Sequence, residues 1–181
     1  METGPELSAL LVIVPAAEAA VGEHRAALDN AAAKGVPAHI TVLYPFVLAD
    51  LIDEAVLAAV RETVSSVPRF DAELVRVAWF DEAVVYAEPS PGERFRALTA
   101  ALWRRFPDCP PYGGVFADVV PHLTIGHDAA REVLAAAGAD VERQLPIRFG
   151  VESVRLMAGT NAPGSWRTLA EFPLASMGAE R

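Results

Sequence analysis

The stretch His39-Ile40-Thr41-Val42-Leu43-Tyr44 decides the fold, because a second stretch, His122-Leu123-Thr124-Ile125-Gly126-His127, repeats its pattern about eighty residues later. Each copy carries an imidazole and a hydroxyl two positions apart among aliphatic residues. Side chains alternate between the two faces of a strand, so His and Thr of each copy project together while the aliphatic residues enter a core. The pattern predicts two strands that bring two imidazoles and two hydroxyls into one cleft.

The context of the two copies weighs against a coincidence. A proline lies just upstream of each copy, at Pro37 and Pro121, and a turn with a helix-like run follows each one. The alternative interpretation is two ordinary buried strands with a structural histidine, which is the commoner role of a lone histidine. The matching aliphatic positions favour the functional interpretation.

The length and composition suit a cytoplasmic globular protein. The chain has 181 residues, which fits a single domain over residues 1–181 or two small lobes that share a core. Apolar stretches such as Leu10 to Val14 are too short to span a bilayer, and the first residues lack the basic segment of a secretory signal. The single Cys109 excludes an intramolecular disulfide and fits a reducing compartment.

The net charge of −9 restricts the partner. A protein that grips long nucleic acid by its phosphates normally offers a basic stripe. Four arginines fall in one segment: Arg94, Arg96, Arg104 and Arg105. They form either a solvated helix face or a phosphate-facing patch. The balance favours a small or short-ended phosphate substrate over a long duplex, and we expect no membrane and a monomeric chain.

Apolar periodicity and turn residues predict an alternating order of strands and helices. Besides the two motif strands, strands are expected over 8–14, 70–79, 83–87, 147–158 and 166–174, with a bulge between Leu74 and Val75. Helices are expected over 16–33, from a cap at Asp50 to residue 64, over 93–106, and from a cap at Asp128 to residue 137. The order with its hairpins predicts an α+β fold of two pseudo-symmetric lobes, mostly antiparallel sheet with outer helices, around a central cleft.

Two histidines facing one phosphorus could supply the base and the acid that phosphodiester cleavage requires. Imidazole titrates near neutral pH, so His39 and His122 could share these roles and produce a bell-shaped pH profile. Thr41 and Thr124 would donate hydrogen bonds to the non-bridging oxygens. The sequence does not decide which histidine is the acid.

Other chemistries fit the sequence less well. A zinc site of His122, His127 and Asp128 fails on spacing, because in a regular strand the two rings point to opposite faces. A Gly-x-Ser-x-Gly nucleophile motif and a glycine-rich phosphate loop are both absent from the sequence. We expect neither a metal nor a cofactor.

The two motifs with their flanking residues, 37–46 and 121–127, resemble the paired motifs of the two-histidine (2H) phosphoesterase superfamily, and within it the bacterial 2′-5′ RNA ligase family. The resemblance implies a bilobal α+β fold and metal-independent work on cyclic phosphates or 2′-5′ bonds. It implies His39 and His122 as the catalytic pair and Thr41 and Thr124 as phosphate-binding residues.

Four further residues are candidates for substrate binding. Many relatives carry Arg or Lys at the position of His127, which would donate to phosphate only if a strand-end bulge turned it inward, and is otherwise structural. Tyr44 is more typical of a cleft wall. Tyr112 and Phe116 belong to a loop over 107–118 that leads into the second motif, where a lid is common.

Three functions remain open at this point. The first is a phosphodiesterase that opens a 2′,3′-cyclic or related cyclic nucleotide phosphate. The second is reversible 2′-5′ joining and cleavage of RNA ends, which the acidic surface disfavours because an RNA body needs a basic track. The third is a module that binds a nucleotide or RNA terminus without turnover, for which two titrating groups are not required.

Overall fold

The computed structural model describes residues 4–177 as a mixed α/β molecule. The eight strands in this range are β1 (Leu7–Ile13), β2 (His39–Leu43), β3 (Phe70–Phe80), β4 (Val84–Ser90), β5 (Leu123–His127), β6 (Ile147–Val151), β7 (Ser153–Gly159) and β8 (Arg167–Pro173). The α-helices are α1 (Glu18–Leu28), α2 (Asn30–Ala33), α3 (Glu54–Ser65), α4 (Gly92–Arg105) and α5 (Arg131–Glu142). Within the described range, no helix combines the length and apolar character needed to cross a membrane.

The strands form two four-stranded sheets in which all neighbours are antiparallel, and the α+β, two-lobed prediction is confirmed. The first sheet has the order β2-β1-β7-β8, and the second has the order β5-β4-β3-β6. Each motif strand is the edge strand of its own sheet. The edges β2 and β5 approach each other at the middle of the molecule, where the two lobes meet.

Two strand-helix-strand units give the lobes their pseudo-symmetry. β1, α1 and β2 form one unit, and β4, α4 and β5 form the other. Each helix crosses to the opposite lobe, because α1 packs against β5 and α4 packs against β2. The exchange ties both motif strands to one shared core, in which Leu10, Ile40, Leu123 and Ile125 are fully buried.

The motif strands alternate as predicted. The aliphatic residues at the second and fourth positions of each motif are buried, whereas His39, Thr41, His122 and Thr124 are partly exposed on the other face. The hairpin of β3 and β4 is also confirmed, and its register shifts between Leu74 and Arg76, where the alternation predicts a bulge.

Four details of the predicted helices are wrong. The helix over 16–33 is interrupted at Asp29, whose extended backbone (φ −127°, ψ 113°) lets its carboxylate cap Ala31. Asp53, not Asp50, caps α3, and its Oδ1 accepts from the Val56 N–H at 2.9 Å.

The last helix differs at both ends. Asp128 does not cap α5, because it lies in the left-handed region (φ 53°) and the helix begins at Arg131. The helix also continues to Glu142 and does not end at residue 137.

The segment over 147–158 is not one strand but two, which belong to different sheets. β6 pairs with β3 in the second sheet, and after Glu152 the chain crosses to pair β7 with β1 in the first. The first sheet therefore contains the first strand, β1, and the last two, β7 and β8. The lobes are therefore not consecutive halves of the sequence. A simple recurrence of elements around each motif would produce consecutive halves.

Candidate active site

The two motif histidines are held by the same backbone hydrogen bond. Nδ1 of His39 lies 2.8 Å from the carbonyl oxygen of Pro37, and Nδ1 of His122 lies 2.8 Å from the carbonyl oxygen of Val120. A carbonyl can only accept, so each Nδ1 carries the proton and donates it. Each ring is thereby fixed in one tautomer, which leaves Nε2 as the nitrogen that can exchange a proton.

A bulge follows the threonine in both motifs. Leu11 pairs with Thr41 and Leu10 with Leu43, so Val42 is the extra residue of β2. In the other lobe Tyr86 pairs with Thr124 and Val85 with Gly126, so Ile125 is the extra residue of β5. A bulge reverses the side-chain alternation that follows it. Tyr44 and His127, which occupy matching places after the two bulges, are therefore turned toward the cleft.

His39 and Thr41 open onto a cavity of about 320 Å³ that belongs to the first lobe. Tyr44 and His127 line the same cavity, so the bulge does bring His127 to the site. The residues that complete the wall are Ala9, Leu11, Asp29, Asn30, Ala31, Lys34, Val36 and Trp166. Half of the lining residues are apolar or aromatic and half are polar or charged, so the cavity can hold a small molecule that has both kinds of surface.

His122 stands among aromatic rings in the second lobe. Its ring meets the Phe80 ring edge-on at 4.9 Å between centroids and the Tyr86 ring at 5.6 Å. The Tyr112 ring lies 6.4 Å away on the loop that precedes β5. The Phe116 ring lies edge-on to the Tyr112 ring, at 5.8 Å between centroids, and is 65% exposed. Phe116 is therefore linked to this group of rings through Tyr112.

Tyr112 connects the two lobes. Its backbone N–H donates to the Tyr44 carbonyl at 2.6 Å, and its side chain lies against both the Thr41 hydroxyl and the His122 ring. The backbone there is left-handed for three successive residues, Tyr112, Gly113 and Gly114, which is a costly conformation for a tyrosine. The strained turn holds the Tyr112 ring beside both motifs.

The pKa values of both motif imidazoles lie below the ordinary value. Burial lowers the pKa of His39 to about 4, with smaller contributions in the same direction from Arg25 and from His122, while the Pro37 carbonyl and the Asp29 carboxylate oppose the change. Burial also lowers the pKa of His122, again opposed by its carbonyl partner. Both rings are therefore neutral at pH 7 when no anion lies between them.

His127 is engaged by protein groups at both ring nitrogens. Nδ1 lies 2.7 Å from Oδ2 of Asp128, and Nε2 lies 3.3 Å from the Asn30 N–H nitrogen and 3.4 Å from Oδ1 of Asp29. Asp29 is itself buried and paired with Arg25 at 2.9 Å. These contacts fix His127 as part of the cavity wall and leave it little capacity to donate to a phosphate.

The arginine segment does not form a phosphate-facing patch. Arg96 donates to the Val119 carbonyl, Arg94 lies over the Phe70 ring, and Arg104 and Arg105 border a separate groove beside α3. Among residues 4–177, the histidine, cysteine and carboxylate side chains nowhere form a group of three that could hold a metal ion.

Sequence reasoning missed the residues that build the first-lobe cavity around the motif. Asn30 and Lys34 come from the short helix α2 and its end, whereas Trp166 comes from the loop between β7 and β8, which is distant in sequence. Phe80 and Tyr86 lie on the predicted hairpin, but no local pattern shows that they would surround His122.

The comparisons with known proteins agree with this architecture. The family model described as the 2′-5′ RNA ligase superfamily matches residues 13–162, which include both motifs. The chain belongs to this superfamily, a group of two-histidine phosphoesterases and ligases, as the resemblance of its motifs indicates. Curated protein sequences give no significant match.

Solved structures share the fold over almost the whole chain. TT0787 of Thermus thermophilus is 19% identical with a TM-score of 0.64, and the alignment covers 95% of this chain and 100% of that one. E. coli LigT complexed with 3′-AMP is 19% identical with a TM-score of 0.60, over 94% and 98% of the two chains. E. coli LigT has also been solved with NADP+, at 17% identity and a TM-score of 0.57, over 94% and 98%.

Proposed function

We propose that this protein is a metal-independent phosphodiesterase that opens 2′,3′-cyclic or related cyclic phosphates of nucleotides or RNA ends. The observation that carries the proposal is the matched pair of imidazoles. Each donates from Nδ1 to a backbone carbonyl, each has a threonine on the same strand face, and each stands on a strand edge that faces the other. A binding protein has no need of two such titrating groups in matched geometry.

The proposed reaction is a displacement at phosphorus. Nε2 of one histidine accepts a proton from water as the water oxygen forms a bond to phosphorus. Nε2 of the other histidine donates a proton to the ribose oxygen whose bond to phosphorus breaks. The product is a nucleoside monoester phosphate. Thr41 and Thr124 hold the non-bridging oxygens as charge develops on them.

The lowered pKa values fit this cycle. An anionic phosphate between the rings favours protonation of one of them, because opposite charges at short distance stabilise the charged form. The substrate therefore brings about the state in which one imidazole is protonated and the other is neutral. We expect a bell-shaped dependence of kcat/KM on pH whose limbs belong to the coupled pair.

A small nucleotide is the substrate that the cavity fits best. The first-lobe cavity has the size of a small-molecule site, and the chain's net charge of −9 offers no general attraction for an RNA body. The relatives with a similar fold include LigT complexes with 3′-AMP, NADP+ and ATP. Localisation in the cytoplasm and a monomeric state remain predictions beside this one.

The test is hydrolysis of adenosine 2′,3′-cyclic phosphate in excess EDTA. We expect turnover by the wild type and a loss of about 10²–10⁴-fold in His39→Ala and in His122→Ala. His24→Ala is the matched control, because His24 lies on α1 and binds Asp140 at 2.7 Å, outside the cleft. Activity that EDTA abolishes, or that survives both motif substitutions, would contradict the proposal.

A second assay separates hydrolysis from the two alternatives. Oligoribonucleotides ending in a 2′,3′-cyclic phosphate are incubated with 5′-hydroxyl RNA, and the products are examined for 2′-5′ bonds. Joined product with no hydrolysis of the free cyclic nucleotide would favour the ligase. Tight nucleotide binding with no turnover of either substrate would favour the binding module.

A further inference from the structure

The first-lobe cavity contains an aromatic ring that the two-histidine chemistry does not use. Trp166 lines the same cavity as His39 and Thr41, and its ring is partly exposed there. The cavity floor beside it is apolar and comprises Ala9, Leu11 and Val36. An exposed aromatic face over an apolar floor is suited to stacking a flat ring.

The position of the Trp166 ring is fixed by three contacts. Its indole N–H donates to the Thr160 carbonyl at 2.9 Å, and its backbone N–H donates to the Lys34 carbonyl at 2.9 Å. Gly159 leaves the space that the ring fills, because a Cβ at that position would lie 2.5 Å from the indole. The ring is therefore preorganised and does not have to be ordered when a ligand binds.

Trp166 and His39 line the same cavity from different ends of β1. Trp166 lies beside Gly159 at the end of β7, and strand pairing places Gly159 opposite Leu7 and His39 opposite Ile13, six residues apart on β1. A nucleotide whose phosphate lies between His39 and His122 would reach Trp166 with its base by extending along this cavity. Lys34 also lines the cavity, and its ammonium donates to Oδ1 of Asn161 at 3.0 Å.

Aromatic rings occupy the corresponding place in the second lobe. In the place that corresponds to Leu11, beside the motif threonine, it has Tyr86, and the stacked Phe80 and Tyr86 rings (4.3 Å between centroids) fill the area next to His122. The pseudo-symmetric cleft is thus open on one side of the imidazole pair and filled on the other.

We propose that the first-lobe cavity is a nucleobase subsite, in which Trp166 stacks the base of the nucleotide whose phosphate lies between the two histidines. This inference rests on the proposed function and narrows its substrate class to base-bearing cyclic phosphates. Stacking on an aromatic side chain is tolerant of base identity, so we expect little discrimination between purines and pyrimidines.

The test compares two substrates that differ only in the base: adenosine 2′,3′-cyclic phosphate and methyl β-D-riboside 2′,3′-cyclic phosphate. We expect the wild type to prefer the base-bearing ester, and Trp166→Ala to lose about tenfold in kcat/KM for it while changing little for the base-free ester. Trp166→Phe should retain most of the preference. Trp103→Ala is the matched control, because Trp103 is 43% exposed on α4, outside the cleft.

Gly159→Ala provides a test that keeps the indole. The added Cβ would displace the ring, so this variant should lose the base preference in the same way as Trp166→Ala. Equal use of the two esters by the wild type, or an unchanged preference in both Trp166→Ala and Gly159→Ala, would overturn the subsite.

Binding measurements distinguish failure of the subsite from failure of the proposed function. Calorimetry with 3′-AMP and with ribose 3-phosphate requires no turnover. Tighter binding of 3′-AMP that depends on Trp166, without hydrolysis of either cyclic ester, would support the subsite and reject the phosphodiesterase. Hydrolysis without any dependence on the base or on Trp166 would have the opposite meaning.

Discussion

His39 and His122 are held in the same way but stand in different surroundings. The two Nδ1 hydrogen bonds have the same length, both threonines precede a bulge, and both strands are sheet edges. Beside His39 lies an open cavity, whereas around His122 lie the rings of Phe80, Tyr86 and Tyr112. The backbone thus supplies the symmetric part of the site, and the side chains of the neighbouring strands make the two halves different.

The largest effect is expected from removing both imidazoles. If the two lobes act on one phosphate, His39→Ala and His122→Ala should each cost about 10²–10⁴-fold in kcat, and the double variant should be about as slow as either single one. The measurement is single-turnover hydrolysis of adenosine 2′,3′-cyclic phosphate. Losses that multiply in the double variant would indicate that the two histidines act independently and not on one phosphate.

The buried ion pair behind the first-lobe cavity has no counterpart at the second motif among residues 4–177. Asp29→Ala leaves the buried Arg25 guanidinium with only the Val36 carbonyl, and we expect a loss of about 3–5 kcal/mol in the free energy of unfolding. Glu73→Ala is the control, because its pair with Arg148 is exposed and should contribute less than about 1 kcal/mol. Equal losses in urea denaturation would contradict the assignment of Asp29 as a core residue.

Leu43 and Gly126 occupy matching positions after the two bulges, but Leu43 has a large side chain and Gly126 has none. Adding a side chain at position 126 tests this difference. A Cβ at Gly126 would lie 2.7 Å from Cβ of Leu28, where α1 crosses β5. We expect Gly126→Ala to destabilise the protein by about 1–3 kcal/mol through overpacking. Gly150→Ala on β6, where the nearest atom lies 3.7 Å away, should be tolerated in the same thermal unfolding experiment.

The smallest effect expected is a pH dependence of stability. The folded pKa of His39 lies near 4, below the unfolded value of about 6.5, so the unfolded chain binds more protons between these limits. Stability is therefore complete above pH 6.5 and falls as the pH falls toward 4. Between pH 7 and 5.5 we expect His39 to contribute a loss of about 1 kcal/mol.

Urea midpoints at the two pH values measure this loss, and the comparison with His39→Gln isolates the contribution of one imidazole. The variant should lose less stability than the wild type on acidification. A difference in the same direction should be found for His122→Gln, because burial lowers the pKa of His122 as well. Identical pH dependence in all three proteins would show that neither ring is held neutral by the fold.

Local features of the sequence predicted the local structure of the site. The His-x-Thr alternation predicted which face of β2 and β5 is buried, because strand geometry depends only on neighbouring residues. The shift of alternation at Leu74 likewise predicted the bulge in β3. The motif does not by itself predict the bulge in β5 that turns His127 inward, because its pattern shows no break.

The predictions that failed depend on contacts that the periodicity of apolar residues does not reveal. Asp29 interrupts a helical stretch because its carboxylate is paired with Arg25 and caps α2, which alanine-rich periodicity around it conceals. The crossing at Glu152 cannot be inferred from one strand-like segment, because only this residue separates β6 from β7 and the two strands belong to different sheets. The position of Trp166 follows from that crossing.

The location of both motifs on sheet edges has a consequence for aggregation. An edge strand presents backbone groups that can pair with a strand of another molecule. Two such edges, β2 and β5, lie in the middle of this protein. On the edge of β2, the Thr99 hydroxyl of α4 donates to the bulged Val42 carbonyl at 2.7 Å, and the Tyr112 N–H occupies the next carbonyl site at Tyr44. The helix and the loop that shape the cleft thereby also keep a foreign strand from docking beside the first motif, so a mutation that loosens either one endangers solubility as well as catalysis.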